Sequence, residues 1–108
     1  MPLLFKHRFF PAIRSGAKTQ TVRFWRRPMV RPGQLAAVPF LHGRLVIESI
    51  EPLAGLADLT DADASAEGLA SLTELLADLL AMYPALRSTD ASAGARRLFR
   101  VRFRFVPR

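Results

Sequence analysis

The chain has 108 residues, half of them hydrophobic, with no cysteine and two histidines. That length suits a single domain over residues 1–108, and the apolar content excludes a disordered chain. Lys and Arg total 16 against nine Asp and Glu, a net charge of +7, and the lack of cysteine excludes disulfides, thiolate zinc sites and cysteine nucleophiles.

His7 and His42 alone do not make a His-rich metal site, so no metal or cofactor is expected. No apolar run reaches the roughly 18 residues that a membrane span needs. Lys6 interrupts the stretch that a secretory signal keeps apolar. The expectation is a cytoplasmic protein with no membrane partner. The charge is segregated: residues 1–47 hold nine basic residues and no acid, residues 48–90 hold all nine acids, and residues 91–108 hold six arginines. Basic segments of this kind suit a polyanion. The plainer alternative is an Ala- and Arg-rich chain whose surface arginines serve solubility.

Leu3-Leu4-Phe5 reads as a strand or its start. His7–Ser15 reads as a helix of about two turns, because Pro11 fits a first turn and Gly16 fits a left-handed close. Thr19–Phe24 is β-branched and aromatic, so it reads as a strand with Thr19, Thr21 and Arg23 on one face and Gln20, Val22 and Phe24 on the other. Residues 25–33 form a basic loop. Leu35–Leu41 and Leu45–Ile50 are further strands about a His42-Gly43 turn, and Pro39 places the first at an edge or bulge.

Thr60 and Asp63 resemble a capping box opening a short helix over Asp61–Glu67. Ser71 and Glu74 are a proper capping box, and Leu72, Leu75, Leu76, Leu79, Leu80 and Tyr83 follow at helical spacing, with Glu74 and Asp78 on the wet face. Residues 85–95 read as a loop. At the end of the chain Phe99, Val101, Phe103 and Phe105 alternate with Arg100, Arg102 and Arg104, which describes a strand with one buried side. The order predicts an α+β domain: a small mixed β-barrel or curved sheet with two or three flanking helices.

Lys18 and Thr21 stand out chemically. Three positions apart, they would face opposite ways on a regular strand. They converge only if Lys18 lies in a turn before the strand, which Gly16 permits. A Lys beside Arg23 and partly dehydrated loses affinity for its proton. Its neutral amine is a base toward a hydroxyl such as that of Thr21. The alternative is a solvated Lys18 and a Thr21 that is only a strand residue.

The run Gly16-Ala17-Lys18-Thr19-Gln20-Thr21-Val22-Arg23 resembles the glycine–x–lysine–x–x–x–x–arginine motif of the ASCH domain, a PUA-like β-barrel superfamily. Arg31-Pro32-Gly33-Gln34 resembles the turn that follows it, and Glu67-Gly68-Leu69 with Ser71–Pro84 resembles the family's acidic-glycine turn and Leu-rich helix. The resemblance covers nearly the whole chain. It implies a cleft for a nucleotide or nucleoside. It also implies, by analogy with small bacterial amidohydrolases of N(4)-acetylcytidine, Lys18 as proton acceptor, Thr21 as nucleophile and Glu67 as proton donor, with Arg23 stabilising the oxyanion or holding the site together. Glu67 serves equally as a salt-bridge partner of Lys18 or Arg23. Where the amidohydrolases carry an acidic stretch, this chain has Phe24-Trp25-Arg26-Arg27, which suits a larger anion such as RNA: Trp25 stacking a base, Arg26 and Arg27 meeting phosphates. An enzyme, an RNA-binding module and, within the same superfamily, a ribonuclease are the readings that remain.

Overall fold

The alternating C-terminal segment forms the middle of a four-stranded antiparallel sheet in a computed structural model that describes residues 3–87 and 95–107. Strand β1 spans Gln20–Trp25, β2 Leu35–Ala37, β3 Gly43–Leu53 and β4 Arg97–Pro107, and the order across the sheet is β1-β4-β3-β2. Helix α1 spans Phe10–Ser15, α2 Asp61–Ala66 and α3 Leu72–Met82. The α+β class and the three helices follow the expectation. Among the described residues no helix is long and apolar enough to cross a membrane.

Two apolar clusters form. Phe99, Val101 and Phe103 of β4 bury with Leu45 and Ile47 of β3 and with Phe10 and Ile13 of α1. Val22, Phe24, Leu53 and Leu98 bury with Ala64 of α2 and with Leu75 and Leu79 of α3. Leu75 and Leu79 lie four residues apart on one helical face. Burying a leucine of this kind is worth about 1.5–3 kcal/mol.

The sheet is neither mixed nor closed into a barrel. All three strand pairings are antiparallel, and β1 and β2 remain its edges. The apolar run Leu3-Leu4-Phe5 passes between those edges without forming a strand. Leu3 N donates to Ala37 O at 3.0 Å, and the Arg23 guanidinium donates to Leu4 O at 2.6 Å. One backbone bond and one side-chain bond do not complete a ladder. The strand expected over Leu35–Leu41 ends at Ala37: Pro39 has no N–H to give, and Phe40 and His42 turn the chain at positive φ. The next strand runs longer than expected, Gly43–Leu53, because β4 pairs it over its whole length past a bulge between Ile47 and Ser49. The N-terminal helix divides into a 3-10 turn, His7–Phe9, and α1. Of the expected loop over 85–95, residues 85–87 belong to a 3-10 turn, Pro84–Arg87, and residues 88–94 lie outside the described residues.

One side chain of the outward arginine row is not wet. Arg102 and Arg104 are exposed, but Arg100 retains only 9% of its surface. Helix α2 covers this end of β4 and meets Arg100 with Asp63. The capping boxes also exchange rank. Thr60 and Asp63 form the reciprocal pair, Thr60 Oγ1 accepting from Asp63 N and Asp63 Oδ2 accepting from Thr60 N at 2.9 Å. Ser71 Oγ accepts from Glu74 N at 3.2 Å, but Glu74 Oε2 accepts from Ala70 N instead of returning to Ser71.

Candidate functional site

Helix α1 ends at Gly16, whose φ of 86° is open to glycine at no steric cost. The chain then folds back, and Lys18 N donates to Ala12 O at 2.9 Å. Lys18 pairs with Glu67 as an isolated antiparallel bridge, and Thr19 N donates to Ala66 O at 2.8 Å. Strand β1 begins only at Gln20. Lys18 therefore lies in the turn before the strand, as its convergence with Thr21 requires. The end of α2 delivers Glu67, and Gly68 follows at φ 79° with its Cα hydrogens close against Lys18: a Cβ there would stand 3.4 Å from Lys18 Cβ.

The Lys18 side chain is buried, with 3% of the residue exposed. Its Nζ donates to Glu67 O at 3.0 Å and to Glu67 Oε1 at 3.3 Å. The ring of Phe9 lies 4.5 Å from the amine, centroid to nitrogen. Glu67 is 5% exposed, and its Oε2 accepts from Gln20 Nε2 at 3.1 Å. Thr21, also buried, accepts at Oγ1 from Arg23 Nε at 3.0 Å. A hydroxyl has two lone pairs and one proton. Arg23 occupies a lone pair and leaves the proton to be given up, while its positive charge favours the oxygen as an anion.

Lys18, Thr21, Arg23 and Glu67 line one cavity of about 350 Å³, walled by Phe5, Phe9, Leu75 and Leu79. Strand β1 is an edge of the sheet, and among the described residues no strand covers its outer side. The 3-10 turn and α3 are joined beside it by a 2.7 Å ion pair between Arg8 and Asp78, both of which line the cavity. Asp78 is half-buried there, its carboxylate still partly open to water.

Burial acts on the two titratable partners in opposite directions. Loss of water lowers the pKa of Lys18 below its ordinary value, against the attraction of Glu67 and with help from the Arg23 charge. Loss of water raises the pKa of Glu67, against Lys18 and the Gln20 hydrogen bond. Both shifts favour the uncharged amine and the uncharged acid. Burial also opposes the charge of Arg23, but a guanidinium stays protonated.

Glu67 is held by a network that reading the sequence missed. Gln20 Nε2 donates to Asp63 Oδ1 at 2.9 Å as well as to Glu67. Arg100 grips Asp63 with two bonds, Nε to Oδ1 at 2.7 Å and Nη2 to Oδ2 at 2.9 Å, and meets Glu51 at 3.0 Å. Desolvation pushes Asp63 up, but its bonds from Arg100, Gln20 and Thr60 prevail and hold its carboxyl below the usual range. The Thr60–Asp63 capping box was the available signal for Asp63. No local pattern marks Gln20 or Arg100, which meet Asp63 across 43 and 37 residues of chain.

Trp25, Arg26 and Arg27 do not join this cavity. They line a neighbouring one of about 600 Å³, which shares Leu4 and Arg23 with the first. The Trp25 ring is half-buried against Phe99, 6.1 Å between centroids, while Arg26 and Arg27 are exposed. Among the described residues no three His, Asp or Glu side chains gather to hold a metal ion.

No family model matches the chain, and no curated protein matches it. Solved structures do. The crystal structure of the hypothetical protein PH0355 superposes with a TM-score of 0.73 at 12% identity, covering 95% of each chain. The protein EF3133 from Enterococcus faecalis, described under the family model DUF984, gives 0.68 at 20% identity over 98% of this chain and 80% of that one. The solution structure of PF0455 from Pyrococcus furiosus gives 0.64 at 11% identity over 95% and 94%. What is shared is the fold.

Proposed function

We propose that the chain is an ASCH-like, PUA-related domain that admits a nucleoside to the Lys18 cavity and hydrolyses an acyl amide on its base, N(4)-acetylcytidine being the type substrate. The observation that carries this reading is the burial of an amine and an acid together, each driven toward its uncharged form, in one cavity with the Thr21 hydroxyl and the Arg23 guanidinium. The volume lies at the lower end of the roughly 300–1,000 Å³ usual for ligand pockets, which suits a nucleoside rather than a larger body.

The chemistry closes on itself. Thr21 Oγ1 attacks the acetyl carbon while Lys18 takes its proton, and Arg23 faces the charge that develops on oxygen. The C–N bond breaks as Glu67 gives its proton to the departing cytosine nitrogen. Lys18 is now an ammonium and Glu67 a carboxylate, an ion pair at 3.3 Å. Water attacks the acetyl-threonine and gives a proton to Glu67. Lys18 returns its proton to Thr21 Oγ1, and acetic acid leaves. The pair passes from neutral to ionic and back, with no net charge change in the cavity.

Incubation with N(4)-acetylcytidine, followed for cytidine, tests the reading. The expected result is release of cytidine that Lys18→Ala lowers by about 10²–10⁴, the usual contribution of a positioned base. No release by the unaltered chain, or equal release by Lys18→Ala, overturns it.

A further inference from the structure

We infer that the Lys18 amine is a nucleophile as well as a base, and that its cavity takes an aldehyde with an apolar body and holds it as an imine. The inference shares the cavity with the proposal above but not its amide chemistry.

An uncharged amine has two N–H groups and one lone pair. At Lys18 both N–H groups are spent on one residue, Nζ lying 3.0 Å from Glu67 O and 3.3 Å from Glu67 Oε1. Among the described residues no third hydrogen-bond partner meets the nitrogen. Its other neighbours are aromatic, with the ring centroids of Phe9 and Phe5 at 4.5 and 5.9 Å. The lone pair is thus left for an electrophile that enters the cavity. A lysine becomes an imine-forming nucleophile when it is withdrawn from water or set beside another cation. Lys18 meets both conditions: it is buried, and Arg23 lines the same cavity.

The body of the ligand meets apolar wall. Leu69, Leu75, Leu79 and Met82 line the cavity beyond the two rings. The polar side chains there are largely engaged with one another: Arg8 with Asp78, Arg23 with Thr21, and Glu67 with Lys18 and Gln20. Little is left to bond the hydroxyls of a polar aldehyde. A volume of about 350 Å³ admits an aldehyde of several carbons.

Nζ attacks the carbonyl carbon, and the π pair of the C=O bond moves to oxygen. Glu67 gives that oxygen its proton, and the nitrogen, now cationic, returns one to Glu67, leaving a carbinolamine. Glu67 then protonates the hydroxyl. The C–O bond breaks, water leaves, and the nitrogen lone pair closes the C=N bond. The product is a protonated imine facing the Glu67 carboxylate, so the cavity keeps its net charge. An amide carbonyl is fed by its own nitrogen and resists this addition, so toward an amide the same amine acts as the base.

Butanal with cyanoborohydride, added to the intact chain at neutral pH, tests this by fixing the imine as a butyl amine that proteolysis and mass spectrometry locate. The chain has two lysines, and Lys6 is exposed. An ordinary exposed lysine is uncharged in only about one part in 10³ at pH 7, so Lys18 is expected to take the butyl group at least about tenfold faster than Lys6. Glyceraldehyde, whose two hydroxyls the apolar wall leaves unpaired, is expected to label Lys18 about tenfold more slowly than butanal. Glu67→Gln keeps a hydrogen-bonding group but has no proton to give, and is expected to slow labelling of Lys18 about 10²-fold. Lys18 left unlabelled, Lys6 labelled as fast, glyceraldehyde as good as butanal, or full labelling in Glu67→Gln each overturns the inference. Turnover of N(4)-acetylcytidine is measured separately. Labelling of Lys18 without turnover removes the hydrolysis and keeps the imine site; turnover with Lys18 unlabelled does the reverse.

Discussion

Replacing Lys18 by Met separates a buried ionisable pair from a solvated one. The amine lies 3.0 Å from a backbone carbonyl and 3.3 Å from a carboxylate, with 3% of the residue exposed. Removing it leaves Glu67 O without its side-chain donor, a cost of about 1–3 kcal/mol. It also leaves Glu67, once ionised, without the amine that would pair with it, and breaking a buried pair in this way costs about 3–5 kcal/mol in all. Glu67 can recover part of that by taking up a proton. Its folded pKa is already raised by burial, and without Lys18 it rises further. A carboxyl with a raised folded pKa contributes most below its unfolded value of about 4.3, and the contribution is lost as pH climbs to the folded value. The variant's stability is therefore expected to fall by about 1.4 kcal/mol per pH unit across that window. Urea denaturation at pH 5 and at pH 8 measures this: a deficit of about 3–5 kcal/mol at pH 8 that shrinks at pH 5. Lys18→Met with Glu67→Leu is expected to regain most of the loss, because paired apolar replacement is often neutral. A deficit under about 1 kcal/mol at both pH values would place the amine in water and refute the buried pair.

Other outcomes follow from the same geometry. Arg100→Leu strands Asp63, whose carboxyl its bonds hold low, and is expected to cost about 3–5 kcal/mol at neutral pH. The unaltered chain keeps Asp63's contribution above the unfolded pKa and loses it as pH falls through the lower folded value, so the gap between the two proteins should narrow in acid, as urea titrations at several pH values would show. Gln20→Leu removes a donor that favours ionised Glu67, so the alkaline limb of the pH–rate profile is expected to move upward while KM stays put. The unaltered chain is expected to give a bell-shaped profile whose two limbs belong to the Lys18–Glu67 pair jointly. Glu67→Gln should leave one limb, rising with pH as Lys18 loses its proton, at a rate about 10²–10⁴ lower.

Local chemistry made half the site legible. Gly16 announces a turn, and the turn is what lets Lys18 and Thr21 converge. Arg23 belongs to the same eight-residue run. Glu67 stands 49 residues from Lys18; only the family resemblance joined them. Arg100 was hidden because alternation describes one strand at a time, and whether its outer face is wet depends on a helix elsewhere. The open sheet was hidden for a related reason. Leu3-Leu4-Phe5 has the composition of a strand, but whether it joins a ladder depends on the distance between β1 and β2, and it makes one backbone bond with β2. Trp25-Arg26-Arg27 adjoin Arg23 in sequence, yet the end of β1 carries them around the shared wall into the next hollow.

In the proposed reaction the acyl group passes through Thr21. Rapid quenching of the chain with N(4)-acetylcytidine, followed by proteolysis and mass spectrometry, tests it most directly. An acetyl group is expected on the peptide bearing Thr21, formed and lost within a turnover and absent from Thr21→Ala. Acetyl found on Lys18 instead, or cytidine released with unimpaired rate by Thr21→Ala, would contradict it.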